Sequence, residues 1–364
     1  TGDSNIFQSS RIPGVYVFHK LFNPFTNNIS QFKSSIFFFS FLIPVALYIS
    51  LRIQFKTINK TYLVLISSLI FLSPYFRTSA YWGNEENFGL LALIISYIFL
   101  QLFTNAIVFK NEFFYLNMLA FFSSCCVYFD QKLAFVPAIS LIIILLSKKR
   151  NFFKYYLILI FCIYSIPVLY LFNLWGGMMP PVDSLGRNML RVNEGNLQGN
   201  LYPQHFGYSI TIIGFYMLPF FFIIKDKIIK DLGSSMLSKK NYILYFILLS
   251  YILYFLIFYE INDEVFLGKG VFYKLAFFTF EDPIFKKIFL SLVILFFGLL
   301  ILNFIKKDFR RIFIVLFLCF TSIIYWPILQ EYFDPLIYII MFTFFNYKFY
   351  FFSKNIFFLY SYFF

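Results

Sequence analysis

Long apolar runs separated by short polar breaks organise the chain, and the charge of the breaks alternates from one to the next. Runs fall at about residues 36–51, 62–76, 88–109, 113–129, 133–147, 155–174, 208–224, 242–259, 287–305, 312–328 and 335–346. Most approach the ~20 residues that an α-helix rising 1.5 Å per residue needs to cross a ~30 Å hydrocarbon core. The pattern predicts an all-α, polytopic integral membrane protein of about 11 transmembrane helices in a single multi-span domain, 1–364. The opening Thr1-Gly2-Asp3 lacks a Met and a signal-peptide pattern, so one further N-terminal span is expected upstream.

Sorting the breaks alternately puts nineteen of the thirty basic residues on one side, in the breaks around 52–60, 110, 148–154, 225–240, 306–311 and 348–354. Thirteen of the seventeen acidic residues fall on the other side. The positive-inside bias makes the basic side cytoplasmic. The outer loops are then about 1–34, 77–87, 130–132, 175–207, 260–286 and 329–334.

Composition agrees. At 60% hydrophobic and 13% charged, with mean hydropathy +0.77, the chain departs from soluble domains, which carry about 25% charge and 45–50% apolar residues. The net charge of +13 would fit nucleic acid, but the cations cluster in short loops between runs. That is topology and anionic-lipid contact, and no nucleic-acid partner is expected. The 59 Phe are read as lipid-facing side chains of a compositionally biased sequence. Cys125, Cys126, Cys162 and Cys319 lack metal-ligand spacing and read as small buried hydrophobes. Trp82 and Trp175 fit interfacial anchors, and His19 and His205 interfacial side chains.

The chemistry-bearing side chains gather outside. Asp3 stands in the first outer segment, Arg77, Glu85 and Glu86 in the second, and Asp130 with Lys132 in a short break between two runs. The longest loop carries Asp183, Arg187, Arg191, Glu194 and His205, and the last outer turn Glu331 and Asp334. Carboxylates facing a cavity with Arg and Lys suit deprotonation of a hydroxyl beside a phosphate leaving group. The carboxylate is the base, and the cations neutralise charge developing on the phosphate. For each residue the plain alternative is a solvated tether, and for Asp130 with Lys132 an ion pair closing a tight turn.

Against these residues the chain resembles the type C membrane glycosyltransferases, and within them the dolichyl-phosphate-glucose-dependent alpha-1,2-glucosyltransferases. The segment 3–16, closing on Pro13-Gly14-Val15-Tyr16, is similar to that family's first luminal loop. Ser73-Pro74 through Glu86 is similar to its second luminal turn, Tyr128 to Lys132 to its polar break, and Trp326-Pro327 through Pro335 to its closing turn. The motifs are short and scattered. The family's acidic pair soon after a first span has no counterpart, and Asp130 stands where the family has Arg.

The resemblance implies an inverting sugar transferase. The donor would be a polyprenyl-phosphate-linked sugar, and the acceptor a lipid-linked glycan or cell-envelope polymer. Asp3, or a carboxylate upstream of it, would act as base, with Glu85 and Glu86 orienting the acceptor or a divalent cation; no other cofactor or metal is implied. Arg77, Lys132, Arg187 and Arg191 would hold the carrier phosphate. Asp130, Asp183, Glu194, His205 and Glu331 would face the acceptor. A bacterial inner membrane is the expected location, with the endoplasmic reticulum as the alternative. Two rival readings are a surface-polysaccharide polymerase or ligase, centred on Arg187, Arg191 and His205, and a flippase or transporter of lipid-linked sugars. A transporter would need ionisable residues along a path and paired halves, and no repeat is evident.

Overall fold

A computed structural model describes residues 13–82, 86–175, 201–223, 239–259, 261, 268–305, 308–324, 328–345 and 353–364. Every regular element among the described residues is a helix. The chain divides into two units, Thr1–Asn200 and Leu201–Phe364.

In the first unit, α1 (Gly14–Phe22) precedes α2 (Ile29–Ser40) and α3 (Leu42–Gln54), which together form one apolar path of 26 residues. The side chain of Asn28 accepts hydrogen bonds from Ser30 N (2.9 Å) and Gln31 N (3.2 Å), satisfying donors that the first turn of α2 leaves open. Next comes α4 (Lys60–Ser68), a 3₁₀ turn (Leu69–Leu72) and α5 (Pro74–Trp82). The path bends by 69° between Lys60–Leu72 and Pro74–Trp82. Two local causes meet there. Ser73 Oγ accepts from Phe76 N at 3.0 Å, and Pro74, which has no N–H to offer, suits the first helical position after that cap.

A long hairpin follows, α6 (Glu86–Asn105) and α7 (Phe109–Phe129). At its connection Lys149 Nζ donates to Ala106 O (2.5 Å) and to Glu112 Oε1 (2.7 Å), so a basic-side lysine binds a carbonyl at the C-terminal end of α6. A 3₁₀ turn (Gln131–Ala134), α8 (Phe135–Leu145) and α9 (Asn151–Trp175) complete the described part of this unit.

In the second unit α10 (Gln204–Ile223) is central, packing against α13 (Pro283–Ile305), α14 (Phe309–Ser322), α15 (Leu336–Phe342) and α16 (Ser353–Phe363). Between α10 and α13 come α11 (Lys239–Phe258) and the short α12 (Val271–Thr279). Gly214 faces the Phe297 ring, where a Cβ would collide.

Asp308 opens α14. It accepts from Arg310 N at 3.0 Å and grips the Arg310 guanidinium through Nε (3.0 Å) and Nη2 (2.8 Å). Burial pushes its carboxyl up, but the hydrogen bonds and charges of Arg310 and Arg311 outweigh that and hold it below its ordinary range. Asp308→Ala is expected to cost about 1 kcal/mol, the usual worth of a lost N-cap, measured by denaturation in detergent. Its contribution is present above the unfolded carboxylate pKa and fades as pH falls through the lowered folded value.

Six helical stretches are long and apolar enough to cross a membrane: Ile29–Gln54, Glu86–Asn105, Phe109–Phe129, Asn151–Leu174, Gln204–Ile223 and Pro283–Ile305. The bent pair around Ser73 would make a seventh. The chain is thus a helical integral membrane protein, but full-length spans number six or seven among the described residues rather than the expected eleven. The difference has a local origin. The remaining apolar runs do form helices, but Gln131–Leu145 is short, the apolar stretch of α11 is confined to Tyr242–Phe258, and α14 and α15 have only 14 and 7 residues.

Rings and aliphatic side chains such as Phe38, Leu159 and Phe296 are exposed, as lipid contact requires. The cysteines partly depart from expectation. Cys126 and Cys319 are buried and Cys125 is half-buried, whereas Cys162 sits on the exposed face of α9.

Candidate functional site

At one end of the first unit the polar break after α7 meets the first turn of α6. Helix α7 stops because Asp130 turns into extended backbone (φ −150°, ψ 109°), and its side chain accepts from Lys132 N at 3.1 Å to cap the following 3₁₀ turn. Lys132 Nζ then lies 3.2 Å from Asp130 Oδ2, with both side chains only 12% exposed. Little solvent screens this pair.

Gly89, in the first turn of α6, lets the break approach. A Cβ there would stand 2.9 Å from Asp130 Cβ and 2.8 Å from Leu133 Cδ1. Glu86 precedes Gly89 by three residues and therefore shares its helix face. Its carboxylate is half-buried, at the end of α6 where the helix dipole favours negative charge.

Asn87 fixes the position of that turn. Fully buried, it donates to Ser40 Oγ (2.9 Å) on α2 and to Phe76 O (3.3 Å) on α5. Beneath the polar layer Val15, Ile36 and Phe88 form a buried cluster, with Phe18, Phe32, Phe39 and Phe129 packed on it. Helices α1, α2, α6 and α7 meet there. Gly14 presses against the backbone of Tyr128, close to where α7 ends.

His19 is buried in this aromatic layer, with Phe32 at 4.8 Å and Phe88 at 4.9 Å, both edge-on. Asn23 Oδ1 accepts from Phe25 N (3.0 Å), which turns the Asn23 amide nitrogen toward His19 Nδ1 (3.1 Å) and Ser35 Oγ (2.9 Å). That assignment makes Nδ1 an acceptor and leaves the proton on Nε2, among the rings. Burial pushes His19 below its ordinary value of 6.5. The unfolded chain therefore takes up the proton first as pH falls, so stability is full above that value and is lost between it and the lower folded value. Thermal midpoints in detergent from about pH 7.5 to about 5.5 are expected to fall, and His19→Phe should flatten that slope.

Of the residues expected to act, Asp130 and Lys132 form an ion pair, and Glu86 lies one turn before Gly89 on the turn of α6 that their break meets. Arg77 lies on the exposed side of α5. Asp3, Glu85, Asp183, Arg187, Arg191 and Glu194 lie outside the described residues. His205 and Glu331 belong to the second unit. There His205 is fully buried rather than interfacial, its Nδ1 3.2 Å from Ser322 O and its ring stacked on Tyr202 at 5.1 Å. Glu331 is half-buried in the 3₁₀ turn Gln330–Tyr332. Among the described residues no three His, Cys, Asp or Glu side chains group to hold a metal ion.

Comparison with family models, curated proteins and solved structures finds no match for this chain. Its chemistry therefore has to be argued from side chains. A half-buried carboxylate at a helix N-terminus can take a proton, and an adjacent ammonium can neutralise a developing oxyanion.

Sequence reasoning passed over His19, Asn87, Lys269 and Lys286 as working groups, yet all four are buried. For Lys269 a signal was present: it sits between Gly268 and Gly270, as residues freed for left-handed backbone do. All three adopt positive φ (82°, 63° and 84°). For Asn87 and His19 no local pattern marks the burial, because it arises only when four helices close around them.

Proposed function

We propose that the chain is a membrane-embedded glycosyltransferase moving a sugar from a polyprenyl-phosphate donor to a lipid-linked glycan or cell-envelope acceptor on the extracytoplasmic face. The observation that carries this reading is the meeting of α6's first turn with the Asp130–Lys132 break through Gly89. It gathers a carboxylate and a cation from two loops that charge sorting places on the same side. Glu86, with Glu85 beside it in sequence, takes the proton of the acceptor hydroxyl. The acceptor oxygen attacks the anomeric carbon with inversion, and the bond from that carbon to the phosphate oxygen breaks. Polyprenyl phosphate leaves, its new charge met by Lys132 and Arg77. A bacterial inner membrane belongs to the same proposal.

The test is reconstitution of the full chain in proteoliposomes containing a polyprenyl-phosphate hexose labelled in the sugar. Label is expected to move to a lipid-linked glycan. Passage of intact donor across the bilayer without transfer would instead support the flippase reading. Joining of diphosphate-linked oligosaccharides, with no use of the monophosphate donor, would support the polymerase or ligase.

A further inference from the structure

Helix α1 is apolar on both of its faces. Val15, Phe18 and His19 turn toward the aromatic layer, where Val15 and His19 are buried. Tyr16, Val17, Lys20 and Leu21 recur at the complementary helical spacing and are exposed, with Lys20 the one charged side chain of the four. Tyr16 is 60% exposed, Leu21 67% and Phe22, at the end of the helix, 70%. Nine residues rise about 14 Å, less than half of a ~30 Å hydrocarbon core, so α1 does not cross the membrane.

Its neighbours give its place. Phe18 meets Phe88, in the first turn of α6, at 5.5 Å and Phe129, the last residue of α7, at 5.9 Å. Gly14 stands against the backbone of Tyr128. A helix that meets both arms of the α6–α7 hairpin at their open end lies across that end.

Helix α2 marks the depth. Ser30, Gln31 and Ser34 are exposed and polar, whereas the next exposed positions are Phe37, Phe38, Phe41 and Leu42. The boundary between water and hydrocarbon therefore falls between Ser34 and Phe37. His19 packs on Phe32 at 4.8 Å and Phe18 on Phe39 at 6.1 Å, so the contacts of α1 bracket that boundary. A second marker agrees. Lys33 Nζ lies 4.7 Å from the ring of Trp82, which is exposed beside Tyr81 at the end of α5, as aromatics at the headgroup level are.

We propose that α1 is an interfacial helix whose partner is the lipid surface itself, with Tyr16, Val17, Leu21 and Phe22 seated at the headgroup–acyl boundary of the outer leaflet. A helix at that level buries its outward apolar side chains among the upper acyl segments and leaves its lysine with the headgroups. The exposed apolar stretch continues along the chain through Phe25 and Ile29 to the first span. This seating also sets a height. Gly14 abuts Tyr128, two residues before Asp130, so the leaflet surface is held level with the Asp130–Lys132 break. The inference stands whether or not the chain transfers sugar.

The experiment places an environment-sensitive fluorophore on Leu21→Cys in the full chain, in vesicles of phosphatidylcholine and phosphatidylglycerol. The exposed Cys162 is replaced by Ser, and that parent serves as the blank for label on the other native cysteines. A second probe sits on Gln31→Cys, in the polar turns of α2. Quenchers are iodide in the water and nitroxide lipids labelled near the headgroup or near the chain end. At position 21 the headgroup-proximal nitroxide is expected to quench severalfold more than the chain-end nitroxide, and iodide severalfold less than at position 31. Equal iodide quenching at the two positions puts α1 in water and overturns the proposal. Weak quenching at position 21 by every reagent means that protein covers the face, and stronger quenching from the chain end means that the helix lies in the hydrocarbon; each overturns it as well. Both labelled positions are exposed, so the packed face is left alone. Should Leu21→Cys insert poorly, Val17→Cys on the same face is expected to give the same quenching order, and the same failures there overturn the seating.

Discussion

Glu85→Gln combined with Glu86→Gln is expected to abolish the proposed sugar transfer, by at least about 10²-fold, the lower bound for removing a general base. Membrane insertion and thermal stability should stay close to wild type. Glu86 is only half-buried, while Asn87 holds the turn through Ser40 and Phe76. Gln keeps the shape and loses only the charge and the basic oxygen. Label transfer in proteoliposomes measures the first effect, and denaturation in detergent the second. Unchanged transfer in the double variant removes this turn from the mechanism.

Lys132→Met destabilises the first unit by about 3 kcal/mol, because it leaves the Asp130 carboxylate in place with its ammonium partner gone. The pair's 12% exposure limits how far water can take over that role. Asp130→Leu with Lys132→Met should recover most of that stability, since an apolar pair of similar volume needs no compensation. Transfer should not recover, because the cation assigned to the leaving phosphate in the proposed mechanism is still missing. Comparing the single and double variants by denaturant unfolding and by transfer separates the structural from the chemical contribution. A Lys132→Met variant as stable as wild type would show that solvent or another group already balances Asp130.

Helix positions were legible because lipid demands long apolar runs and a backbone satisfied within each segment. Helix lengths were not. Ser73-Pro74 splits one run, and Asp130 shortens another by capping a 3₁₀ turn, so caps rather than hydropathy set these ends. The approach of the first turn of α6 to Asp130 was legible only as membership of one side. Its physical cause is Gly89, whose missing Cβ has a neighbour 41 positions on in Asp130, a relation no local window contains. His205 illustrates the opposite limit. A histidine beside a long polar loop reads as interfacial, yet the Ser322 carbonyl and the Tyr202 ring enclose it completely.

The brevity of the segment after Asp130 has a consequence for the surrounding lipid. Its 4-residue 3₁₀ turn and 11-residue helix rise about 25 Å together, against a hydrocarbon thickness of ~30 Å. Its neighbour Asn151–Leu174 has 24 residues, or about 36 Å. A bilayer meeting both must dimple at the shorter helix and let the longer one lean. The dimple draws headgroups inward to the level of Asp130 and Lys132. That is the depth at which the proposed donor would present its phosphate while its tail stays in the leaflet.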